Sequence, residues 1–322
     1  MTNSGRDLFA IHSEFADVDH FSEVVRAWDL EFFQTDRGAF QANLEQIGTA
    51  QASLAGAHFS RALEQNGSSP PGMRTFALPA KRNMRFCWRG QEVRDHHMML
   101  FPPDGELFSL SPAGFSIFTF SIHEPVLHTT AETMGFPEVV DVLASGVELL
   151  GVGRAAMDRL LRRCRSTLDL SKGTGKLSSA DKLRAQLCEG IAPLIVRALA
   201  TATKIPRNRP ITPRRSRAIA KARELVREFH REPLTVKRIC EEAGVSARTL
   251  EYAFQETFGM APKPWLMKRS LNLVHSHLRR ARGTGTTVAD IANDWGFWHM
   301  GQFAADYKKM FGKLPSQTLV GG

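Results

Sequence analysis

The chain has 322 residues, 43% hydrophobic and 23% charged, which is enough for two domains of ordinary size. No apolar run approaches the ~18–20 residues of a membrane span. The N-terminal stretch MTNSGRDLFAIHSEFADVD lacks a secretory pattern, and Cys87, Cys164, Cys188 and Cys240 form no CxxC pair, so a cytoplasmic protein with reduced thiols is expected.

In chain order, residues 19–33 (DHFSEVVRAWDLEFF) place Phe21, Val24, Val25, Trp28 and Phe32 on one helical side. From about 38 to 123 short runs such as MRTFALPA, RFCWRGQEV and GFSIFTFSI are separated by Gly, Pro, Asn or Asp. This spacing predicts several strands in a β-barrel or sandwich. Helix signals return over 124–134, 137–144, 148–170 and 179–203, and the last two helices can pack on the strands or on a second protomer. Residues 204–213 (KIPRNRPITP) carry three prolines and three cationic residues and read as an extended linker. The sequence thus divides into 1–203, a linker at 204–213, and 214–322.

The formal charge of +9 is not spread evenly. Residues 213–322 hold 19 Lys and Arg against 10 Asp and Glu, while residues 1–212 carry 23 of each, so the whole excess lies in the last third. A localised positive field favours polyanions through counterion release. A solvated basic face is the plainer reading, and charge alone does not choose between the two.

The last third also contains a degenerate repeat. Val236/Val288, Ile239/Ile291 and Gly244/Gly296 are offset by 52 residues, whereas Leu250/Phe303, Phe254/Tyr307, Phe258/Phe311, Gly259/Gly312 and Pro262/Pro315 are offset by 53. In each copy a Thr (235, 287) precedes a short helix, a Gly sits at a turn and a second helix follows. Two short helices joined by a Gly-containing turn make a helix-turn-helix unit, whose second helix enters the major groove. A basic amphipathic helix (214–231) precedes the first copy. Residues 263–282 form a helix of ~27 Å between the copies, with Trp265, Leu266, Leu271, Val274 and Leu278 linking the halves. That length suits recognition helices held about one DNA turn, ~34 Å, apart.

On these residues, 214–320 resemble the AraC/XylS class of bacterial transcription regulators. AGVSARTLEYAFQETFGMAPKPWL and DWGFWHMGQFAADYKKMFGKLPSQTL carry the likeness. The resemblance implies a sequence-specific DNA-binding regulator, an effector-responsive activator with a repressor or ligand-independent regulator as the alternative, whose partners are promoter DNA, RNA polymerase, a small-molecule effector and a second copy of the chain. It implies no cofactor, metal or enzymatic activity. Residues 1–203 resemble the sensor half of the class, a cupin-like barrel followed by dimerising helices. FSEVVRAWDLEFF and LSPAGFSIFTFSI are similar to a sub-branch that includes ethanolamine- and ornithine-type catabolic activators. The expected fold class is α+β, with an all-α DNA-binding domain of two helix-turn-helix units at the C-terminal end.

Helical phase then selects candidate contacts. In the first copy Leu250, Phe254 and Phe258 face inward, leaving Ser246, Ala247, Arg248, Thr249, Glu251, Tyr252 and Gln255 toward DNA. Arg248 suits guanine O6/N7 and Glu251 suits cytosine N4. In the second copy His299, Met300, Gln302, Asp306 and Lys308 face outward, and Trp298 reads as packing. Ala304 and Ala305 depart from the polar or basic residues usual in the class, which implies fewer base contacts. Lys237, Arg238 and Lys309 are phosphate candidates, whereas Arg214, Arg215 and Arg217 read as linker charge. Phe76, Phe86, Trp88 and Phe118 are effector-pocket candidates, with an aromatic core as the plainer reading. His96 and His97, as strand neighbours, point to opposite faces and make a poor metal pair. SKGTGK (171–176) lacks the spacing of a phosphate loop. Two other readings are a methyl-accepting repair protein, which needs a reactive Cys, and a cupin metalloenzyme, which needs a His/His/Glu/His set; neither group is evident.

Overall fold

The computed structural model describes residues 8–25, 28–88, 91–101, 103, 106–172, 180–205, 213–228 and 234–321. The linker expected at 204–213 and the SKGTGK segment lie mostly outside these residues. The fold is α+β, with an antiparallel N-terminal half and a helical C-terminal half.

The N-terminal half begins with β1 (Phe9–Phe15), α1 (Val18–Val24), β2 (Asp29–Gln34), β3 (Ala42–Gly48), β4 (Ala52–Phe59), β5 (Leu63–Ser68) and β6 (Met73–Pro79). It continues through the hairpin β7 (Phe86–Trp88) and β8 (Gln91–Val93) to β9 (His97–Phe101), β10 (Glu106–Ser111) and β11 (Phe115–His123). Then come α2 (Glu124–Thr133), α3 (Glu138–Ala144), β12 (Leu149–Gly151), α4 (Arg154–Lys172), α5 (Ala180–Arg184), α6 (Ala192–Ala200) and β13 (Thr203–Lys204). Eight strands form one sheet in the order β1-β3-β4-β11-β6-β9-β12-β13, and β10-β5-β2 form a second. The larger sheet does not close on itself, so the expected barrel is an open pair of facing sheets.

Alternation along the strands divides the core. Leu54, Phe76, Phe118 and Phe120 face α2, α3, α4 and α6 on the outer side of the large sheet. Leu44, Phe59, Phe101 and Phe115 face the three-stranded sheet across an aromatic interior. The smaller sheet alternates in turn. Phe32, Gln65, Leu107 and Ser109 face the interior, while Phe33, Glu64 and Phe108 face the C-terminal half.

Several expectations are corrected here. The single helix over 19–33 is α1 followed by β2. DLEFFQ alternates, and its backbone pairs with β5 from Asp29↔Ser68 to Gln34↔Leu63. Trp28 and Phe32 reach the same core by a period of two instead of 3.6. The strands therefore begin at Phe9, well before residue 38. The helix expected from 148 starts only at Arg154, because Leu149–Gly151 pair with β9. The helix expected over 179–203 is broken by a π turn over 185–189, with Gly190 at its end and Pro193 just inside α6. His96 lies in the turn before β9, so its ring meets His97 edge-on at 4.6 Å instead of pointing away.

The C-terminal half comprises α7 (Pro213–Glu228), α8 (Val236–Ala243), α9 (Ala247–Phe258), α10 (Pro262–Arg280), α11 (Val288–Asp294), α12 (Met300–Phe311) and α13 (Pro315–Val320). It has two apolar cores. One joins Ala222, Leu225, Ile239, Leu250 and Phe254 to Trp265 near the start of α10. The other joins Val274 and Leu278 to Ile291, Phe303 and Tyr307. One helix thus supplies both units with core residues, as the apolar spacing along 263–282 requires.

Candidate nucleic-acid interface

The first unit is assembled from α8 and α9. Thr235 caps α8 by accepting from the Arg238 N–H at 3.2 Å, and Ser246 Oγ accepts from the Thr249 N–H at 3.2 Å. Gly244 ends α8 at φ 60°, a left-handed conformation open to glycine at little cost. Leu250, Ala253, Phe254 and Phe258 are buried. Ser246, Ala247, Arg248, Glu251, Tyr252 and Gln255 are exposed, with Thr249 half-buried under the cap. The outward positions expected from helical phase are therefore exposed together, except Thr249.

That face is partly pre-organised. The Arg248 Nη2 donates to the Tyr252 hydroxyl at 3.3 Å. The guanidinium carbons of Arg248 and Arg215 lie 5.6 and 5.5 Å from the Tyr252 ring centroid. Arg215 is also paired with Glu256 at 3.1 Å. Arg215, read from sequence as linker charge, thus belongs to α7 and stands beside the first recognition helix. Lys237 is exposed and pairs with Glu241 at 3.7 Å, while Arg238 is half-buried.

The second unit is assembled from α11 and α12. Thr287 and Asp290 form a reciprocal capping box, and hydrogen bonds from Thr287 hold the Asp290 carboxyl below its usual range. Phe303, Tyr307, Met310 and Phe311 are buried. His299, Gln302, Ala305, Lys308 and Lys309 are exposed, and Met300, Ala304 and Asp306 are half-buried. Gln302 donates to Asp306 at 2.8 Å. The expectation that Trp298 packs in the core is overturned: it is 72% exposed. Phe297 takes the packing position, with its ring 5.1 Å from Phe303.

The C-terminal half is clamped by a polar seam that the sequence hid. Arg269, Asn272, His275 and Arg279 form a stripe along α10 that reads as a solvated face, yet Arg269, Asn272 and His275 are buried and Arg279 half-buried. Trp265 Nε1 donates to Glu64 at 2.6 Å, and Arg269 lies 3.6 Å from the same carboxylate and 4.0 Å above the Phe33 ring. The Asn272 amide accepts from the Gln34 N–H and donates to the Gln34 carbonyl, both at 2.9 Å. Asp17, the N-cap of α1, meets His275 at 2.9 Å, Arg279 at 3.4 Å and Lys313 at 3.4 Å. Burial alone would raise the Asp17 carboxyl. His275, Arg279 and Lys313 outweigh it and hold the group well below the carboxylate range. Asp19 is pushed up by burial, with a further push from Asp17. At the end of α12 the Gly38 N–H donates to the carbonyls of Lys309 and Met310, both at 3.1 Å. Gly312, at φ 75°, sits against Ala39, where a Cβ would come within 3.0 Å.

Asp17, Asp19 and His275 also have ligand atoms within 4.8 Å of one another. Arg279 and Lys313 already supply positive charge there, so this is an ion-pair cluster and not a set of metal ligands. The thiols of Cys164, Cys188 and Cys240 are all raised by burial, Cys164 to about 12, the opposite of a nucleophilic cysteine.

A second candidate site lies between the two sheets. It is a cavity of about 80 Å³ lined by aromatic and aliphatic side chains together with Gln46, Gln65, Ser109 and Thr119, and among the described residues no charged side chain lines it. Phe86 and Trp88 line it as expected. Phe76 and Phe118 do not, because strand alternation turns both toward the helical layer.

Two helix-turn-helix units on a shared central helix define a DNA-binding fold, and a helix-turn-helix family model matches residues 239–320. A probable thc operon regulatory protein of Rhodococcus erythropolis is 39% identical over 88 residues, 27% of this chain and 26% of that one. A XylDLEGF operon transcriptional activator of Pseudomonas putida is 32% identical over 96 residues, 30% of this chain and 29% of that one. The chain thus aligns with little more than a quarter of the length of either relative. Among solved structures, a probable AraC family transcriptional regulator from Rhodopseudomonas palustris is 33% identical over 32% of this chain and 94% of that one, with a TM-score of 0.29. The AraC-like transcriptional activator CuxR is 14% identical over 89% of this chain and 100% of that one, with a TM-score of 0.40. The C-terminal domain of the chain belongs to the AraC/XylS family.

Proposed function

We propose that the chain is a sequence-specific DNA-binding transcription regulator, an activator that responds to a small, largely apolar effector. One observation carries the DNA reading: two recognition helices stand exposed on one positively charged domain that holds the entire +9 of the chain and is joined by α10. Activation is supported by the relatives, several of which are named as operon activators. The base-reading set is Ser246, Ala247, Arg248, Thr249, Glu251, Tyr252 and Gln255, with His299, Met300, Gln302, Asp306 and Lys308 from the second unit. Lys237, Arg238, Lys309 and Arg215 serve the phosphates. RNA polymerase is the partner of the bound activator, a second copy of the chain pairs through the outer face of the α2–α6 layer, and the setting is cytoplasmic. No helix among the described residues is long and apolar enough to cross a membrane.

The effector reading rests on the cavity and its position. Consecutive residues of the three-stranded sheet face opposite ways: Phe32 and Gln65 line the cavity, while Phe33 and Glu64 hold α10. Phe21 of α1 also lines the cavity, and the N-cap of the same helix grips His275. A ligand between the sheets therefore biases the grip on the DNA domain, to the extent that its affinity differs between the two arrangements. A largely apolar molecule fits the aromatic and aliphatic lining of the described residues. The DNA reading is tested by enrichment of duplexes from a randomised library with the full chain; failure to enrich any motif at moderate salt would remove it. The effector reading is tested by thermal shift of the full chain against neutral aromatic and anionic metabolites. Stabilisation by anions alone would contradict the lining.

A further inference from the structure

The change of offset from 52 to 53 between the repeats has a structural address. Val245 in the first unit and Phe297 in the second occupy equivalent turn positions, since each donates its N–H to the carbonyl five residues back, at Cys240 and Ala292. Each also packs into its own unit's core. The N-cap residues Ser246 and His299 are equivalent in turn. One residue follows Gly244 before its N-cap, and two follow Gly296. The inserted residue is Trp298.

An insertion in a tight turn is ordinarily small or polar. This one is an indole with 72% of its surface exposed, beside the exposed His299 and immediately before α12. Among the described residues, the exposed Phe, Tyr and Trp side chains are Trp298 and Tyr252, one on each helix-turn-helix unit. The position equivalent to Tyr252 is Ala305, and the position equivalent to Arg248 is Gly301, where an added Cβ would meet nothing within 4 Å. At these two positions the second unit thus lacks the long side chains of the first, while Gln302 and Lys308 stay exposed on its outer face. In their place it has small residues, which let the backbone approach closely, and one large apolar group at the end of the helix that meets base edges.

We infer that Trp298 is a base-reading residue, inserted in the second unit to make an apolar contact with a thymine C5-methyl in the major groove. This rests on the DNA-binding reading above. The chemistry follows from the groove itself: thymine alone presents a methyl there, and an apolar side chain reads it without hydrogen bonds. A protein partner is the other occupant an exposed indole invites. DNA is favoured because the residue is contiguous with the exposed recognition face and carried by the domain that holds the positive charge.

The test uses the full chain, a duplex enriched from a randomised library by that chain, and copies of the duplex with each thymine replaced singly by deoxyuridine. Affinity is read by fluorescence anisotropy for the wild type, Trp298→Ala and Trp298→Phe, with unfolding temperature as a folding control. One deoxyuridine in the second half-site is expected to weaken wild-type binding about fourfold, the worth of one buried methyl. Trp298→Ala is expected to bind the unmodified duplex about tenfold more weakly and to ignore that deoxyuridine, while Trp298→Phe keeps part of both effects. If Trp298→Ala matches the wild type on every duplex, the inference fails and the DNA reading stands. A uniform loss with no thymine dependence places the indole on the backbone and also overturns it. If no duplex is enriched by the wild type, the DNA reading falls and the inference with it.

Discussion

The two helix-turn-helix units share a fold and differ in both of their faces. The first presents Arg248, Glu251, Tyr252 and Gln255, and is held to the N-terminal half by apolar contact, Phe108 against Phe258 with Arg223 stacked 4.3 Å from the Phe108 ring, beside the Glu64 carboxylate that takes Trp265 and Arg269. The second presents Gly301, Ala305 and Trp298, and is held by charge and backbone, through Asp17 on His275, Arg279 and Lys313 and Gly38 on the last turn of α12. A duplicated fold conserves its core because packing is unforgiving, and diverges wherever a surface meets solvent or a partner. The second unit's attachment carries more charge, three cations on Asp17 against Arg269 on Glu64, and charge pairs are directional and sensitive to pH whereas apolar contact is neither.

The largest expected effect comes from breaking that attachment. Asp17→Ala leaves His275 and Arg279 without their shared carboxylate, a loss of about 3–5 kcal/mol for a buried pair, reduced toward the lower figure because Asp17 is partly exposed. Hydrogen exchange along α10 should rise in the variant; unchanged protection would mean that the seam does not hold the helix. The same carboxyl gives the seam a pH signature. Its folded pKa is depressed, so its contribution is fully present above the unfolded value near ~3.9 and is lost as pH falls below it toward the folded value. Asp17→Asn should flatten the fall in α10 protection over that acid range. Asp19, shifted upward, contributes with the opposite sign, which is why the variant and not a bare pH scan isolates Asp17.

Next in size, Arg248→Ala should weaken binding to an enriched duplex by about 1–3 kcal/mol, roughly fivefold to 150-fold, and relax preference at one base pair. Equal affinity and an unchanged motif would show the phase of α9 to be misread. Phe108→Ala tests the apolar attachment of the first unit: about 1–2 kcal/mol is expected for a half-buried aromatic, with no dependence on pH. A loss that varies with pH would erase the contrast between the two attachments. The smallest change is expected for Lys309→Gln. It should lower affinity across all sequences and reduce the slope of log K against log salt by about one phosphate contact, a result that an altered motif would contradict.

The C-terminal domain was legible in the sequence because its signals are local: caps at Thr235, Ser246 and Thr287, turn glycines at 244 and 296, and apolar residues in helical phase. The N-terminal half was harder. Residues 19–33 satisfy a helical pattern and a strand pattern together, and only pairing with β5, some 35 residues downstream, decides between them. Phe76 and Phe118 were indistinguishable from Phe86 and Trp88 until strand register assigned each to a face. The α10 stripe escaped because a polar row at helical spacing reads as solvated; its carboxylate partners, Asp17 and Glu64, lie some 200 residues or more away in the chain. Trp298 was misjudged for the opposite reason, since a tryptophan beside a core phenylalanine ordinarily packs.

Enrichment of a randomised duplex library by the full chain, followed by sequencing, bears most directly on the central claim that two unequal readers act from one domain. The expected product is a pair of half-sites about 10–10.5 base pairs apart, the one read by α9 strict at several positions and the one read by α12 specified at few. Two equally strict half-sites, a single half-site, or no enriched motif would contradict it.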